Sequence, residues 1–402
     1  MKTTVRPLSI LYFTNSRQRG GAEEHLVSLI GKLDRSAFQP ILACPRVLAD
    51  QMQTDLGRGV ELWPVELRRP FDWREALRLG RLMRLRQIDI LHSHLFSSSV
   101  FASPIGRLAG VPAIVETPHV SERWRRGWLK GHFVADRLIA RLVDAFIAVS
   151  HANARYLIDE KGLRPEKVRV ISNGIDTRRF AAAHRPAALM RLSLGFRPDD
   201  PLLVCIARLE PQKGHAVLLD AMARIRAEVP RARLLIVGEG SLRQSLESRT
   251  RALNLGETVR FVGRQTNVPD WLALAQVAVL PSFYEGLPLA ALEALAAQKP
   301  LVATAVDGTP EVVLDGRTGF TVPPGDAPSL AAAILRMLRD PAHARKMAAA
   351  GRRLITEKYS HERQVRDTET LYREIWEKRA TRCAFTQAVE IPAHSHWRRE
   401  TS

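Results

Sequence analysis

Short apolar runs rich in β-branched residues alternate along the chain with longer segments whose apolar residues recur at helical spacing. We predict strands in the first half at SILYFTN, FQPILACP, VELWPVE, IDILHSHL, PAIVETPH, DAFIAVS and KVRVISNG, and in the second half at PLLVCIARL, RLLIVGEG, TVRFVGR, QVAVLPS and PLVATAV. The intervening segments, such as GHAVLLDAMARIRAEV and EGLPLAALEALAAQ, are long enough for crossover helices. Apolar strands separated by helices are typical of parallel sheets covered on both faces, so we expect an α/β protein.

The strand pattern stops and restarts around residues 181–200, AAAHRPAALMRLSLGFRPDD, which carry prolines and charges and have no strand character. Because 402 residues exceed what one core usually holds, we predict two doubly wound domains, at residues 1–185 and 196–360, with ligands at the C-terminal ends of the strands. Residues 361–380 have helical spacing and are expected to pack back across the first domain. The tail, residues 381–402, is expected to be loosely ordered.

Composition places the chain among globular proteins, with 46% apolar and 25% charged residues. Cys44, Cys205 and Cys383 lie far apart without CxxC spacing, which disfavours a disulfide framework or a structural zinc site and suits a reducing cytosol. No run approaches the ~18 apolar residues that span a bilayer, and LSILYF near the N-terminus is too short for an export signal. We therefore expect a cytoplasmic protein.

The net charge of +18 favours an anionic partner, namely nucleic acid, an acidic membrane face or phosphorylated substrates. Residues 67–86 and 122–141 are both rich in arginine, and the second stretch mixes Trp124, Trp128 and Phe133 with its basic residues. That mixture resembles an interfacial anchor, so we consider peripheral association with the inner face of the cytoplasmic membrane. A solvated, arginine-rich helix face is the alternative interpretation.

Two turns after predicted strands carry groups suited to an anion. NSRQRGGAEEHL places Gly20 and Gly21 between the first strand and a helix, where backbone amides can approach a ligand, although a turn can use glycine for its geometry alone. ARLEPQKG places Arg208 at a strand end and Lys213 in the following loop. Two cations that converge on a strand end suit a diphosphate, whose negative charge grows as a bond to it breaks.

The stretch PSFYEGLPLAALEALAA, residues 281–297, carries only two charged side chains, Glu285 and Glu293, among apolar and small residues. Pro288 suits the first turn of a helix, so the amides of Gly286 and Leu287 would point outward as free donors for a phosphate. The two carboxylates would accept hydrogen bonds from sugar hydroxyls on either side of it. A buried glutamate paired with an arginine is the structural alternative.

Histidines end two predicted strands of the first domain: His92 and His94 in LHSHL, and His119 in VETPH. We expect them to face the interdomain cleft and contact ligand, with His92 and His94 as candidates for acceptor binding. No third metal ligand stands at a telling spacing from His92 and His94, and the sequence has no Asp-x-Asp to hold a divalent ion against a nucleotide. We therefore expect no metal site and no metal cofactor.

Taken together, these motifs resemble the retaining glycosyltransferases of family 4, which have the two-domain GT-B fold. The resemblance covers residues 9–378. Its matching elements are GGAE at 20–23, HSH at 92–94, TPH at 117–119, AVS at 148–150, ISNGID at 171–176, ARLEPQKG at 207–214, VGEG at 237–240, EGLPLAALE at 285–293 and DGTPEVVLDGRTGF at 307–320. The E-x7-E element formed by Glu285 and Glu293 is the most specific of them.

The resemblance implies a nucleotide-sugar donor bound mainly by the second domain, a saccharide or lipid-linked acceptor on the first, and retention without a metal ion or a protein nucleophile. It assigns stabilisation of the leaving diphosphate to Arg208 and Lys213, ribose binding to Glu293, and contacts with the donor sugar to Glu285 and His119. It assigns the remaining donor contacts to Gly20, Gly21, Gly238, Gly286 and Leu287.

Two other functions stay open at this point. A nucleotide-sugar 2-epimerase can share the two-domain fold and would act on the donor without an acceptor. A basic nucleic-acid-binding protein is disfavoured, because the sequence contains no DNA- or RNA-reading motif and only 6% aromatic residues.

Overall fold

Two parallel β-sheets organise the computed structural model, which describes residues 6–57, 59–67, 72–122, 131–181 and 185–389. The strands of the first sheet are β1 (Leu8–Phe13), β2 (Phe38–Cys44), β3 (Glu61–Pro64), β4 (Ile90–His94), β5 (Ala113–Thr117), β6 (Ala145–Ala148) and β7 (Val168–Val170). Those of the second are β8 (Leu202–Ile206), β9 (Arg233–Val237), β10 (Val259–Phe261), β11 (Val277–Leu280), β12 (Leu301–Thr304) and β13 (Phe320–Val322).

Helices connect the strands and cover both sheets. In chain order they are α1 (Gly21–Lys32), α2 (Arg46–Met52), α3 (Trp73–Leu85), α4 (Phe96–Leu108), α5 (Gly131–Ala140), α6 (His151–Arg155), α7 (Ala187–Ser193), α8 (His215–Glu228), α9 (Arg243–Ala252), α10 (Val268–Leu274), α11 (Leu289–Ala296), α12 (Ala327–Arg339), α13 (Pro341–Lys358) and α14 (His361–Val389). Among the described residues, no helix is both long and apolar enough to cross a membrane.

The strand order in each sheet creates a point where ligands can bind. The first sheet runs β3-β2-β1-β4-β5-β6-β7 and the second β10-β9-β8-β11-β12-β13, with every pair parallel. In both sheets the order reverses between two neighbouring strands, β1 and β4 in the first and β8 and β11 in the second. The carboxyl ends of such strands frame a crevice, so each domain carries a ligand-binding edge at this switch point.

The apolar strands bury side chains on both faces, as their pattern predicts. Along β1, Ile10 and Tyr12 join one apolar cluster while Leu11 and Phe13 join another on the opposite face. Full burial of each such side chain stabilises the fold by roughly 1.5–3 kcal/mol. The predicted α/β architecture with two doubly wound parallel sheets is therefore confirmed.

One strand escaped the sequence prediction. Among the described strands β13 pairs with β12 alone, at the edge of the second sheet, and it contains three residues between Gly319 and Pro323. A run that short shows no periodicity of its own. Its pairing depends on β12 being already in place.

The segment that follows the first domain belongs structurally to the second. Met190 of α7 and Phe196 are buried in one cluster with Leu202 and Val204 of β8. The connection between the domains therefore lies before α7, at the start of the proline-containing stretch.

Helix α14 returns from the second domain to cover the first sheet, as predicted. Its residues Tyr372 and Ile375 join the apolar cluster of β1 and α1. The helix continues to Val389, past the expected end at residue 380, because residues 379–389 contain no glycine or proline. Residues 390–402 of the expected loose tail lie outside the described residues.

Candidate active site

The switch points bring together most of the residues that the sequence singles out. Gly20 and Gly21 follow β1, and His94 ends β4. Arg208 and Lys213 follow β8, while Glu285, Gly286 and Leu287 follow β11. Both sets lie at the carboxyl ends of their strands, and the two edges face each other across the interdomain cleft.

Two helix N-termini meet in this cleft. Helix α1 begins at Gly21 and α11 begins at Leu289, and a Cβ added to Gly21 would lie 3.7 Å from Cδ1 of Leu289. Within the described part of the chain, the amides of Gly286 and Leu287 donate no hydrogen bond. Each helix start carries about half a positive charge, so this junction attracts an anion.

Arg208 reaches from the second domain toward the glycine turn of the first. Its side chain is exposed, and a Cβ added to Gly20 would lie 3.6 Å from its Nε. Gly20 is itself held by the buried carboxylate of Glu23, whose Oε2 accepts a 2.8 Å hydrogen bond from the Gly20 amide. Burial raises the pKa of Glu23, and the positive charge of nearby Arg208 opposes that shift.

Lys213 and Glu285 form a largely buried ion pair beside the same loop, with Nζ 2.5 Å from Oε1. The backbone of Glu285 is fixed in turn, because its amide donates a 2.7 Å hydrogen bond to Oδ2 of Asp307. Among the described residues, no donor reaches the Oε2 of Glu285. One carboxylate oxygen therefore remains for a ligand hydroxyl.

Gly286 is one of the points where the second domain touches the first. A Cβ there would lie 1.9 Å from the carbonyl oxygen of His119 and 2.9 Å from Cγ2 of Val149, so a side chain does not fit. Ser150 Oγ donates to the Gly286 carbonyl at 3.1 Å, and Asn173 Nδ2 donates to the Leu287 carbonyl at 2.9 Å. These bonds hold the phosphate-facing loop against the first domain.

Glu293 lies on α11 and is partly buried in the cleft. Burial raises the pKa of its carboxyl to about 7, with Arg179 lowering it and Glu24 of α1 raising it further. No hydrogen-bond donor among the described residues reaches this carboxylate, whose pKa responds to burial and neighbouring charges alone. A perturbed, unengaged acid in a cleft is a candidate for ligand binding.

Gly238 allows two loops to pack closely, and its backbone amide does not face a ligand. Its φ is +152°, and a Cβ would lie 2.0 Å from the carbonyl oxygen of Ala207. Its amide is engaged, because it donates a 2.9 Å hydrogen bond to Gly263. Gly238 thus lets the exit loops of β8 and β9 touch next to Arg208, and its own amide is not available to a donor substrate.

His92 does not line the cleft. It is fully buried, with Nδ1 2.5 Å from the hydroxyl of Tyr372 on α14 and Nε2 2.7 Å from Oγ1 of Thr117. Both ring nitrogens are engaged, so no ring nitrogen is left for the acceptor contact expected of His92. Its observed contacts join the first sheet to the C-terminal helix.

His94 and His119 do meet, as part of a cluster that includes His25 of α1. His94 Nδ1 lies 3.0 Å from His119 Nε2, and the rings of His25 and His119 pack edge to face with centroids 4.9 Å apart. Burial lowers the pKa of His25 to about 4 and those of His94 and His119 well below the ordinary value, so all three are neutral at pH 7. The sequence analysis missed His25, whose only signal is its place on the buried face of α1.

Of the two arginine-rich stretches, residues 67–86 lie largely within the described residues, whereas much of residues 122–141 does not. Residues 123–130, which hold most of the tryptophan and arginine mixture, lie outside the described residues, as do residues 68–71. Helix α3 is described, and its outer face exposes Trp73, Leu77 and Leu85, with exposed fractions of 63%, 54% and 79%. Four exposed arginines share that face, namely Arg74, Arg78, Arg81 and Arg84.

Known proteins resemble this chain over both domains. Residues 19–179 match the family model described as Glycosyltransferase Family 4, and residues 189–354 match that described as Glycosyl transferases group 1. Glycogen synthase of Mycobacterium tuberculosis is 33% identical over 311 residues, which cover 74% of this chain and 72% of that protein. A GDP-mannose-dependent α-(1-6)-phosphatidylinositol monomannoside mannosyltransferase of Mycolicibacterium smegmatis is 30% identical over 83% of this chain and 90% of its own length.

A solved structure shares the fold. HepE of Anabaena, in complex with UDP and glucose, superposes with a TM-score of 0.81 at 21% identity, covering 90% of this chain and 99% of that one. Both family models describe glycosyl transferases, which favours sugar transfer over the 2-epimerase and nucleic-acid-binding alternatives.

Proposed function

Because this chain belongs to glycosyltransferase family 4, we propose that it moves a hexosyl group from a nucleoside-diphosphate sugar to a saccharide or lipid-linked acceptor, retaining the anomeric configuration without a metal ion. The observation that carries the proposal is the meeting of two helix N-termini with Arg208 and Lys213 at one edge of the cleft.

Diphosphate binding follows from charge. The starts of α1 and α11, the free amides of Gly286 and Leu287, and the Arg208 guanidinium all direct positive potential into the same space. These groups are fixed before the reaction, so they stabilise the charge that develops on the leaving diphosphate without reorganising. Two protein cations then serve where a divalent ion would otherwise be required, and the sequence has no Asp-x-Asp to bind one.

The two acids bind hydroxyl groups on either side of the diphosphate. Glu293 has an unengaged carboxylate on α11 and accepts hydrogen bonds from the ribose. Glu285, fixed by Lys213 and Asp307, presents its second oxygen to the donor sugar. His119 lies against Gly286 on the opposite wall and contacts the same sugar.

Transfer then proceeds on one face of the sugar. The anomeric C–O bond to the phosphate breaks, the acceptor oxygen bonds to the same carbon from the same side, and the acceptor proton passes to the departing phosphate oxygen. The protein supplies no nucleophile in this scheme. Its contribution is to hold the pyrophosphate charge in a cleft from which closure excludes water.

The donor is identified by a binding screen and then by turnover. HepE binds UDP and glucose, and the mannosyltransferase relative is named for GDP-mannose, so UDP-, GDP- and ADP-sugars form the panel. The matching donor raises the melting temperature, since a hundredfold excess over its Kd adds ~2.7 kcal/mol of stability. Nucleotide release that requires an acceptor supports transfer, whereas epimer formation from donor alone would support the 2-epimerase, and no stabilisation by any nucleotide sugar contradicts the proposal.

For the acceptor, we propose that α3 docks on an anionic membrane surface and brings the cleft to a lipid-linked substrate. Trp73, Leu77 and Leu85 are exposed on the same face as four arginines, which fits an interface of apolar tails and negative headgroups. In this arrangement the enzyme is cytoplasmic and peripheral.

Vesicle flotation tests the docking surface. Arg74→Glu with Arg81→Glu should abolish flotation with anionic vesicles at low salt, because it reverses two charges on the outer face of α3. The matched control is Arg345→Glu with Lys346→Glu on the exposed face of α13, which should float like the wild type. Equal flotation of both variants, or none by the wild type, counts against a role for α3.

A further inference from the structure

Three imidazoles from three separate elements converge in the first domain. His25 lies on α1, His94 ends β4, and His119 follows β5, and one ring nitrogen from each lies within 4.8 Å of the others. All three are buried. The elements that carry them are a helix and two adjacent strands, so the cluster is held by the core of the domain.

The spacing of the nitrogens suits a shared cation. His94 Nδ1 and His119 Nε2 are 3.0 Å apart, so they either share one proton or face one ion. Ligand nitrogens in a tetrahedral zinc shell lie about 3.4 Å apart, which a small movement of either ring provides. Imidazole is a preferred ligand for zinc and its neighbours, and three histidines that leave one position open form a known ligand set.

We propose that His25, His94 and His119 bind one divalent transition-metal ion of the Zn²⁺ type, and that this ion inhibits the enzyme. The carbonyl of His119 lies against Gly286 in the loop that faces the diphosphate. An ion bound to its imidazole withdraws that ring from the donor sugar. The inhibitory half rests on the proposed function, whereas the metal site stands on the cluster alone.

Gln364 of α14 contacts His25 and allows a second, independent test of metal binding. Its Nε2 lies 2.8 Å from His25 Nδ1, and its Oε1 accepts a 2.7 Å hydrogen bond from the Gly174 amide. The amide nitrogen donates to His25, which places the imidazole proton on Nε2. A ligating histidine instead carries its proton on the nitrogen away from the metal and donates it to an acceptor. Gln364→Glu supplies that acceptor while keeping the bond from Gly174, so it should tighten metal binding.

The test is a titration of the full chain, first freed of metal by a chelator, with ZnCl₂ by calorimetry and with Co²⁺ by visible absorption. We expect one ion per chain, with binding lost in His25→Ala and in His94→Ala and tightened about tenfold in Gln364→Glu. His343→Ala, in α13 of the second domain, is the matched control and should bind like the wild type. If a histidine variant fails to fold by circular dichroism, His25→Gln and Gln364→Glu still decide the question.

The site is overturned by no binding of either ion to the wild type, or by binding that survives both His25→Ala and His94→Ala. Weaker binding in Gln364→Glu would also contradict it. A proton shared between His94 and His119 then remains the explanation of their contact.

Inhibition is measured separately. Zinc at ten times its Kd should raise the apparent KM for the donor about tenfold in the wild type and leave that of His25→Ala unchanged. Chelator alone should not lower turnover. Metal binding is measured without donor and donor binding without metal, so failure of the metal site and failure of the transferase proposal are distinguishable. Zinc binding without any change in KM overturns the inhibitory half.

Discussion

On the second-domain wall of the cleft, Arg208 and Lys213 lie beside the start of α11, whereas on the first-domain wall His25, His94 and His119 are buried and neutral at pH 7. The second-domain wall therefore suits an anion. The first-domain wall contains uncharged imidazoles that suit sugar hydroxyls. Such a division fits a donor whose two ends, diphosphate and hexose, differ in charge.

Burial shifts the pKa values of side chains in both walls, upward for an acid and downward for a base. It raises the pKa of Glu293 to about 7 and lowers that of His25 to about 4, because it disfavours the charged form of each group. Both residues therefore approach neutrality near pH 7. Arg208 and the Lys213–Glu285 ion pair contribute charge to the second-domain wall.

The largest effect is expected from removing the cations. Lys213→Ala should lower kcat/KM about 10³-fold, since a fixed group beside the developing diphosphate charge is lost. Arg208→Ala, at an exposed position, should have an effect of the same order without disturbing the fold. Steady-state kinetics with the identified donor measure both, and Lys346→Ala on the surface of α13 is the matched control.

Removing Lys213 also leaves Glu285 buried without its partner, which can cost ~3–5 kcal/mol of stability. Thermal unfolding of each variant therefore accompanies the kinetics. Near-normal turnover in both Lys213→Ala and Arg208→Ala would contradict the proposal that the second-domain wall binds the diphosphate.

A smaller loss is expected where the two walls touch. In Gly286→Ala the new methyl group meets the His119 carbonyl at 1.9 Å, so the loop must move away from the first domain. A displacement of this size should lower kcat about 10²-fold. Gly256→Ala is the control, because a Cβ there meets nothing within 4 Å. Equal activity of the two variants contradicts the close approach.

The donor affinity should depend on pH through Glu293. Only the carboxylate accepts hydrogen bonds from both ribose hydroxyls, and its pKa is about 7, so affinity is lost as pH falls through that value. Between pH 8 and pH 6 the Kd of an intact nucleotide sugar should rise about tenfold. Glu293→Gln should bind more weakly and show a flat profile by calorimetry. A wild-type Kd that is constant over this range excludes the predicted ionisation.

The last effect is on stability rather than on activity, and it concerns the histidine wall at acid pH. The pKa of His25 is lowered from 6.5 to about 4, so the unfolded chain binds this proton first. The stabilisation is complete above pH 6.5 and is lost as pH falls toward 4, by up to about 3 kcal/mol. His25→Gln should unfold with a shallower dependence on pH in this interval. The same dependence in both proteins would show that His25 does not carry it.

Most of the fold was accessible from the sequence because its strands are apolar on both faces. β1, β4, β8 and β11 stand out as continuous runs, and their exit turns carry the glycines and cations of the site. β13 was not accessible, since three residues at a sheet edge have no periodicity. The end of α14 was placed too early, because the composition of the tail changes before the helix ends.

The candidate site residues also differ in whether the sequence could predict their position. Arg208, Lys213 and the loop from Glu285 to Leu287 could be placed at one edge of the sheet because strand end, loop and helix start are contiguous in sequence. His92 was given a ligand-facing position, yet Tyr372 engages one of its nitrogens from α14. His25 was overlooked because its neighbours in the cluster lie on β4 and after β5, far away along the chain.

The amino-acid order by itself determined the alternation of strands and helices and the turns that carry glycines, cations and acids, because period, turn chemistry and helix starts are properties of neighbouring residues. Tertiary packing alone decided that Gly286 meets His119, that three histidines share one pocket, and that α14 engages His92. Those contacts join segments separated by long stretches of chain. The packing of α1 and α14 on the first sheet brings the histidines and Tyr372 together, and the approach of the loop after β11 brings Gly286 to His119.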